Sequence, residues 1–261
     1  MTRLLRMDWG AIPAVSSAAT ASTPDRRQPI RILAVSDDMD AALDHRQNRE
    51  RLGRVDLICG CGDLSADYLA FLADAFVAPL VYVRGNHDTG LAWDSWRDRL
   101  PEPLPDGRVE AHCGVDILGV SWPVRGAGST FERESAAWRQ VLRAGLRPRG
   151  GVPSDLLVLS HVPPRDLGDV SSDPFHRGFG AYRWLADRVQ PRLWLHGHTP
   201  VAAGNPFRLR CGATEIVNVT GSLLLELRPA VEPLPAMARS TTLLAAAPVA
   251  VREVDRERAQ P

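Results

Sequence analysis

Apolar runs of four or five residues recur along this chain, and polar motifs rich in aspartate and histidine follow directly after them. Four of the runs cover residues 31–35, 55–59, 80–83 and 156–159. A short run of this kind that ends in a turn is typical of a strand buried on both faces. Because the polar motifs come where such strands end, we expect them to meet at one edge of a sheet, where open α/β folds place their chemistry.

Five polar motifs stand in a fixed order. They are Ser36-Asp37-Asp38-Met39-Asp40, Gly62-Asp63, Gly85-Asn86-His87-Asp88, Ser160-His161 and His196-Gly197-His198-Thr199-Pro200. The motifs include one set that suits a divalent transition metal, with a carboxylate, an amide oxygen and two imidazoles: Asp63, Asn86, His161 and His198. Imidazole is a borderline ligand, so this set favours Mn, Fe or Zn over Ca or Mg. A lone Asp is more often a helix cap and a lone His a structural residue, so only the whole set predicts a metal site.

The motifs resemble those of the calcineurin-like metallophosphoesterases, which run Asp-x-His, Gly-Asp, Gly-Asn-His-(Asp/Glu), a lone His and Gly-His-x-His. The resemblance covers about residues 30–228. It implies a four-layer αββα sandwich, in which two mixed β-sheets pack face to face and are flanked by helices. It also implies hydrolysis of a phosphoester, either a small molecule or a nucleotide, at two metals about 3.5–4 Å apart.

The resemblance assigns roles to the motif residues. Asp37 would be a ligand of the first metal, and Asp63 would bridge the two metals. The second metal would be completed by Asn86, His161 and His198. His87 would be a general acid or a hydrogen-bond donor in the transition state, oriented by Asp88.

Two positions depart from the family pattern, and both belong to the first metal. Met39 stands where the first motif has histidine, and Pro200 stands where the last motif has its second histidine. We therefore expect one tightly held metal, with a second site that is weak or absent. The alternative is a first site rebuilt from the oxygens of Asp38 or Asp40, which would favour Mg or Mn and hold it weakly.

A second resemblance concerns the stretch after His161. The forms His161-Val162-Pro163-Pro164 and His176-Arg177-Gly178-Phe179 are similar to a prokaryotic branch of the family. The likeness implies that His176 and Arg177 line the substrate mouth, and His196 is a further substrate-binding or supporting residue. The alternative for His176 and Arg177 is a solvated position at the start of a helix.

Charge and cysteine usage narrow the class of protein. With 31 basic and 31 acidic residues, the chain gives no global electrostatic reason to bind nucleic acid or a membrane surface. No apolar stretch approaches the roughly 18 residues that span a bilayer. The four cysteines lack the paired spacing of a zinc site, and we expect core thiols in a reducing cytoplasm.

The sequence divides into three parts. Residues 1–28 read as a disordered leader, residues 29–228 as one metallophosphoesterase domain, and residues 229–261 as a Pro/Ala/Arg-rich C-terminal extension. The domain is predicted to begin with a βαβαβ half. Antiparallel strands follow, including hairpins near residues 109–120 and 207–219.

The function expected from these features is hydrolysis of a phosphomonoester or phosphodiester by a metal-activated water. The alternative is a non-catalytic pseudoenzyme that binds metal or phosphate and acts in recognition or regulation. Loss of two ligands from the first metal site keeps that alternative open.

Overall fold

A computed structural model describes residues 2–10, 28–124, 129–145, 155–201 and 207–229. These residues belong to one compact unit, Met1–Ala230. A Gly-rich segment at 126–128, an Arg/Gly/Pro-rich segment at 147–153 and the predicted C-terminal extension beyond Pro229 lie outside the described residues.

The described residues form eleven strands and five α-helices. The strands are β1 (Arg3–Trp9), β2 (Ile30–Ser36), β3 (Leu57–Gly60), β4 (Leu80–Tyr82), β5 (Val109–His112), β6 (Val115–Val120), β7 (Leu156–Ser160), β8 (Leu193–His196), β9 (Arg208–Cys211), β10 (Thr214–Asn218) and β11 (Gly221–Pro229). The helices are α1 (Arg46–Leu52), α2 (Ala66–Phe76), α3 (Leu91–Trp96), α4 (Thr130–Gly145) and α5 (Gly180–Val189). None of these helices has the length and apolar composition needed to cross a bilayer.

The strands make two mixed sheets. The first has the order β1-β11-β2-β3-β4, and the second has the order β5-β6-β7-β8-β10-β9. In the first sheet β2, β3 and β4 run parallel, and in the second β6, β7, β8 and β10 run parallel. The carboxyl ends of the parallel strands therefore define one edge in each sheet.

Alternating side chains along the strands separate three apolar layers. Ile32 and Ala34 of β2 share a core with Leu157 and Leu159 of β7, so the two sheets pack face to face. The alternate residues of β2, such as Leu33, lie on the outer face of the first sheet and pack under α2. The alternate residues of β7 lie on the outer face of the second sheet and pack under α4 and α5. The predicted four-layer αββα sandwich is confirmed.

Several elements predicted from patterning are confirmed. The hairpin of β5 and β6 closes at Cys113 and Gly114, which have φ of 51° and 82°. Two consecutive positive φ angles match the tight turn whose twist suits a two-residue hairpin. The helical segment between β2 and β3 of the predicted βαβαβ half is divided. A 3-10 turn at Ala41–Asp44 begins at Asp40, whose carboxylate accepts from Ala42 N–H, and α1 follows.

The beginning of the chain differs from the predicted leader. Arg3–Trp9 form β1, which pairs in parallel with β11. Leu5, Met7 and Trp9 alternate with exposed residues and are buried in the core between the sheets. Burial of three large apolar side chains outweighs the entropy of ordering this segment. Residues 11–27, the rest of the predicted leader, lie outside the described residues.

Candidate metal centre

Three site residues lie within three residues of a strand end and adopt the left-handed region of the backbone. Asp37, Asp63 and His198 have φ of 59°, 55° and 67°. Such angles are uncommon for residues other than glycine and cost energy, so surrounding contacts must hold them. The left-handed residues turn the chain just after β2, β3 and β8, so the three side chains stay at the carboxyl edge of the sheets.

Four predicted ligands come together at this edge. Ligand atoms of Asp63, His161 and His198 all lie within 4.8 Å of one another. His161 Nε2 is the centre of the group: it lies 3.1 Å from Asp63 Oδ2, 3.0 Å from Asn86 Oδ1 and 3.1 Å from His198 Nδ1. Asp63 and Asn86 follow strands of the first sheet, and His161 and His198 follow strands of the second.

The far nitrogen of each histidine ring is held by a backbone carbonyl. His161 Nδ1 lies 2.9 Å from the oxygen of Cys61, and His198 Nε2 lies 2.7 Å from the oxygen of Phe175. A carbonyl oxygen only accepts hydrogen bonds, so these two nitrogens carry the ring protons. In the neutral rings, His161 Nε2 and His198 Nδ1 then hold lone pairs toward Asp63 and Asn86.

Four hydrogen-bond acceptors thus converge without a hydrogen between them, one each from Asp63, Asn86, His161 and His198. A cation at their centre fits this arrangement. Burial opposes a charge on His161, but its hydrogen bond to Asp63 and the charges of Asp63 and Asp37 raise its pKa above the ordinary value. Burial and the neighbouring His161 lower the pKa of His198 to about 3. Without metal, a proton on His161 therefore occupies the electrostatic place of the cation.

Glycines allow the motifs to approach so closely. A Cβ at Gly85 would collide with the Asp63 carboxylate, and a Cβ at Gly197 would collide with Ser36 Oγ and the Asp37 carboxylate. The glycines of two motifs are therefore required by contact with another motif rather than by their own turns.

His87 and Asp88 occupy different environments. The His87 ring is 81% exposed and its Nε2 lies 3.9 Å from Asp63 Oδ2. The resemblance implied that Asp88 orients His87, but its Oδ2 instead accepts from the backbone N–H groups of Asp63 and Gly85, at 2.9 and 2.7 Å. Burial raises the pKa of Asp88 to about 6, although the hydrogen bonds from these two N–H groups act to lower it. Asp88 thus holds together the loops that carry Asp63 and Asn86.

The position of the first metal is different. Both carboxylate oxygens of Asp37 accept from His198 N–H, at 3.1 and 2.9 Å. Met39 is 61% exposed. Asp40 caps the 3-10 turn and accepts from Ser222 and Thr2 hydroxyls, so its carboxylate is used within the fold. Within the described ranges, neither Asp38 nor Asp40 joins the acidic and histidine group around Asp63.

The three residues proposed to bind substrate separate into two groups. The His176 ring centre lies 5.4 Å from that of His198, and its Nδ1 is 2.5 Å from Asp173 Oδ2; Arg177 is exposed beside it. His196 is different, because it is 1% exposed and burial lowers its pKa to about 4. It is a buried neutral histidine next to Gly168, not a residue of the mouth.

Sequence reasoning missed the groups that hold the ligands. Cys61 and Phe175 act through backbone carbonyls, which no side-chain pattern reveals. Trp122 also supports the centre, since its ring centre lies 6.0 Å from that of His198. Thr220 was not considered, and its hydroxyl lies 3.4 Å from Asp37 Oδ2.

The fold and the site together define a metal-binding αββα protein whose ligands lie at the carboxyl edge of two sheets. The family model for calcineurin-like phosphoesterases matches residues 31–202. The chain belongs to this family, which acts on phosphoesters with divalent metals. A search of the curated proteins finds no significant match.

The comparison with solved structures gives matches at low sequence identity. One crystal structure is 13% identical with a TM-score of 0.50, covering 76% of this chain and 95% of the other. TT1561 of Thermus thermophilus is 19% identical with a TM-score of 0.48, covering 74% and 90%. A dimetal phosphatase from Danio rerio is 12% identical with a TM-score of 0.41, covering 74% and 88%.

Proposed function

We propose that this protein hydrolyses a phosphomonoester or phosphodiester with one tightly held divalent transition metal, Mn, Fe or Zn, at Asp63, Asn86, His161 and His198. The observation that carries the proposal is the convergence of three acceptors on a fourth, His161 Nε2, at about 3 Å each, with both ring protons turned outward to carbonyls. Such an arrangement is stable only with a cation or an added proton at its centre.

A divalent metal bound there would polarise the phosphoryl oxygen and lower the pKa of a bound water toward about 7. His87 is the proton donor for the leaving group, since its exposed ring lies beside Asp63 and its Nε2, 3.9 Å from Asp63 Oδ2, is too far from that oxygen for a hydrogen bond. Asp88 keeps the His87 loop in place through the Asp63 and Gly85 N–H groups. His176 and Arg177 line the approach for a small phosphoester or a nucleotide.

The test combines metal content with turnover. The purified protein is dialysed, its metal is measured per chain by elemental analysis, and a nitrophenyl phosphate monoester and diester are assayed with added Mn. We expect about one metal per chain and turnover of at least one ester. His161→Ala should lose both metal and turnover, whereas Ser172→Ala, an exposed change in the loop that follows, should keep both. Wild-type protein without bound metal would refute the proposal.

The depleted first site supports a second candidate function, a metal- or phosphate-binding pseudoenzyme. Met39 and Pro200 remove two imidazoles from the metal that normally shares Asp63, and Asp37 hydrogen-bonds to the backbone of His198. Half of the two-metal clamp on the transferred group is then missing. One bound metal without hydrolysis of either ester, at any added Mn or Mg, would favour this candidate.

A further inference from the structure

The loop between His161 and α5 contacts a metal ligand that it does not itself contain. Phe175 lies in this loop, and its carbonyl oxygen accepts from His198 Nε2 at 2.7 Å. We propose that Asp173 is a positioning residue, which shapes this loop so that Phe175 fixes the ring orientation and tautomer of His198. The inference rests on the proposed metal centre, and it adds a residue outside all five motifs.

The two histidines of the centre are held in different ways. The carbonyl that holds His161 belongs to Cys61, two residues before the ligand Asp63, so the same strand end supplies both. The carbonyl that holds His198 comes from a loop that supplies no ligand. The orientation of His198 therefore depends on a segment that the sheet edge does not fix.

Asp173 closes this segment on itself. Its Oδ1 accepts from Phe175 N–H at 2.9 Å, and its Oδ2 pairs with His176 Nδ1 at 2.5 Å. Its backbone N–H donates to Val170 O, while Val170 N–H donates to His176 O, at 2.9 and 3.1 Å. The backbone of Phe175 is thus held on both sides, with its N–H on Asp173 and its carbonyl on His198.

Ring packing completes the support of His198. The ring centre of His176 lies 5.4 Å away and that of Trp122 lies 6.0 Å away. Because Asp173 anchors His176, the same carboxylate controls one ring neighbour and the hydrogen-bond acceptor of His198. Groups that hold the outer nitrogen of a ligating histidine typically change metal affinity about 10–100-fold when they are removed.

The loop also connects the centre with the mouth of the site. The Phe175 side chain is 78% exposed, while its carbonyl holds the ligand. A displacement of Phe175 at the mouth would therefore be transmitted to His198 through one hydrogen bond.

The test measures the His198 tautomer and metal affinity in three variants. In the metal-free protein, long-range ¹⁵N NMR of the His198 ring should show Nε2–H in wild type. Asp173→Ala should mix the two tautomers and weaken Mn binding by about 10–100-fold in calorimetry. Asp173→Asn keeps an acceptor for Phe175 N–H and should recover most of both properties. Ser172→Ala, a neighbouring exposed change, should match wild type.

The outcomes separate this inference from the proposed function. If wild type binds no Mn, the proposed function fails, and the tautomer in the metal-free protein still decides the role of Asp173. An unchanged Nε2–H tautomer in Asp173→Ala, with Mn affinity within about twofold of wild type, would overturn the inference. If Asp173→Ala does not fold, Asp173→Leu, which has a side chain of similar shape without an acceptor, decides: a tautomer ratio that differs from wild type supports positioning, and an identical ratio and affinity refute it.

Discussion

At the scale of single residues, the electrostatics of the centre depend mainly on His161. It is fully buried between Asp63 and Asn86 and has a raised pKa, while its neighbour His198 is kept neutral. Metal and proton therefore compete for the same atom, His161 Nε2. This competition makes the centre sensitive to pH in opposite directions with and without metal.

Metal affinity should rise with pH, since binding must displace the proton of His161. Below the raised pKa of His161 we expect about a tenfold gain in affinity per pH unit, and above that pKa a plateau. Calorimetry in buffers of different ionisation enthalpy would show one proton released per metal on the rising part. No proton release on that part would contradict a protonated His161.

The stability of the metal-free protein should change in the other direction. A group with a raised folded-state pKa stabilises the fold fully below its unfolded pKa, and this contribution is lost as pH rises through the folded pKa. The His161 contribution should thus be lost as pH rises through its raised folded-state pKa. His198 has a lowered pKa, so its contribution is lost as pH falls from its unfolded pKa toward about 3. Melting curves in chelator at pH values from about 3 upward, with His161→Gln as control, would separate the His161 contribution to stability from the His198 contribution.

His87 should matter for rate but not for metal content. His87→Ala removes the proposed proton donor and should lower turnover roughly 10²–10⁴-fold, with metal per chain unchanged because His87 is not a ligand. The loss should be smaller on an ester with an acidic leaving group, which needs less protonation. Unchanged turnover on a poor leaving group would remove His87 from the mechanism.

At the scale of elements, the loops after β2 and β8 carry the departures from the family's first metal site. They meet through the contact between the Asp37 carboxylate and His198 N–H, and they carry the two substituted positions, Met39 and Pro200. The contact holds the two loops together at Asp37. The imidazoles are what is absent.

The double variant Met39→His with Pro200→His should therefore bind a second metal and hydrolyse phosphoesters faster. Each single change should do much less, because one added ligand leaves the site incomplete, and the excess of the double change measures the coupling. Pro200→Ala controls for the freed backbone at that position. A folded double variant with one metal would mean that the first site has been remodelled beyond its two lost ligands.

The sequence predicted those elements whose signal is local. Strand ends and ligand types could be read from the motifs, because buried parallel strands carry continuous apolar runs. β1 was missed although Leu5, Met7 and Trp9 alternate, since its partner β11 lies at the far end of the domain sequence. The Phe175 carbonyl and the true partners of Asp88 could not be predicted, because backbone contacts depend on how loops fold together.

At the scale of the whole molecule, the proposed metal would join the two sheets. Asp63 and Asn86 follow β3 and β4 of one sheet, and His161 and His198 follow β7 and β8 of the other. A ligand that binds only the folded state stabilises it by mass action. The metal centre is therefore expected to contribute to global stability as well as to chemistry.

Metal should raise the melting temperature, and chelator should reverse the change. At free metal of about one hundred times Kd the gain is about 2.7 kcal/mol. For a domain of this size that corresponds to a shift of about 5–11 °C. The variant His161→Ala should show no shift in melting temperature. A wild-type melting temperature that does not change when metal is added would contradict binding at a site shared by both sheets.

β1 has a consequence for how the chain can be shortened. It covers the edge of β11, whose core side chains include Leu223, Leu225 and Leu227, and it presents Arg6 and Asp8 outward. A long apolar strand with an unpaired edge is a template for pairing with another chain, whereas charges on an edge strand discourage it. Trimming residues 1–28 as if they were a dispensable tail should therefore yield self-associating, aggregation-prone protein rather than a tidier domain.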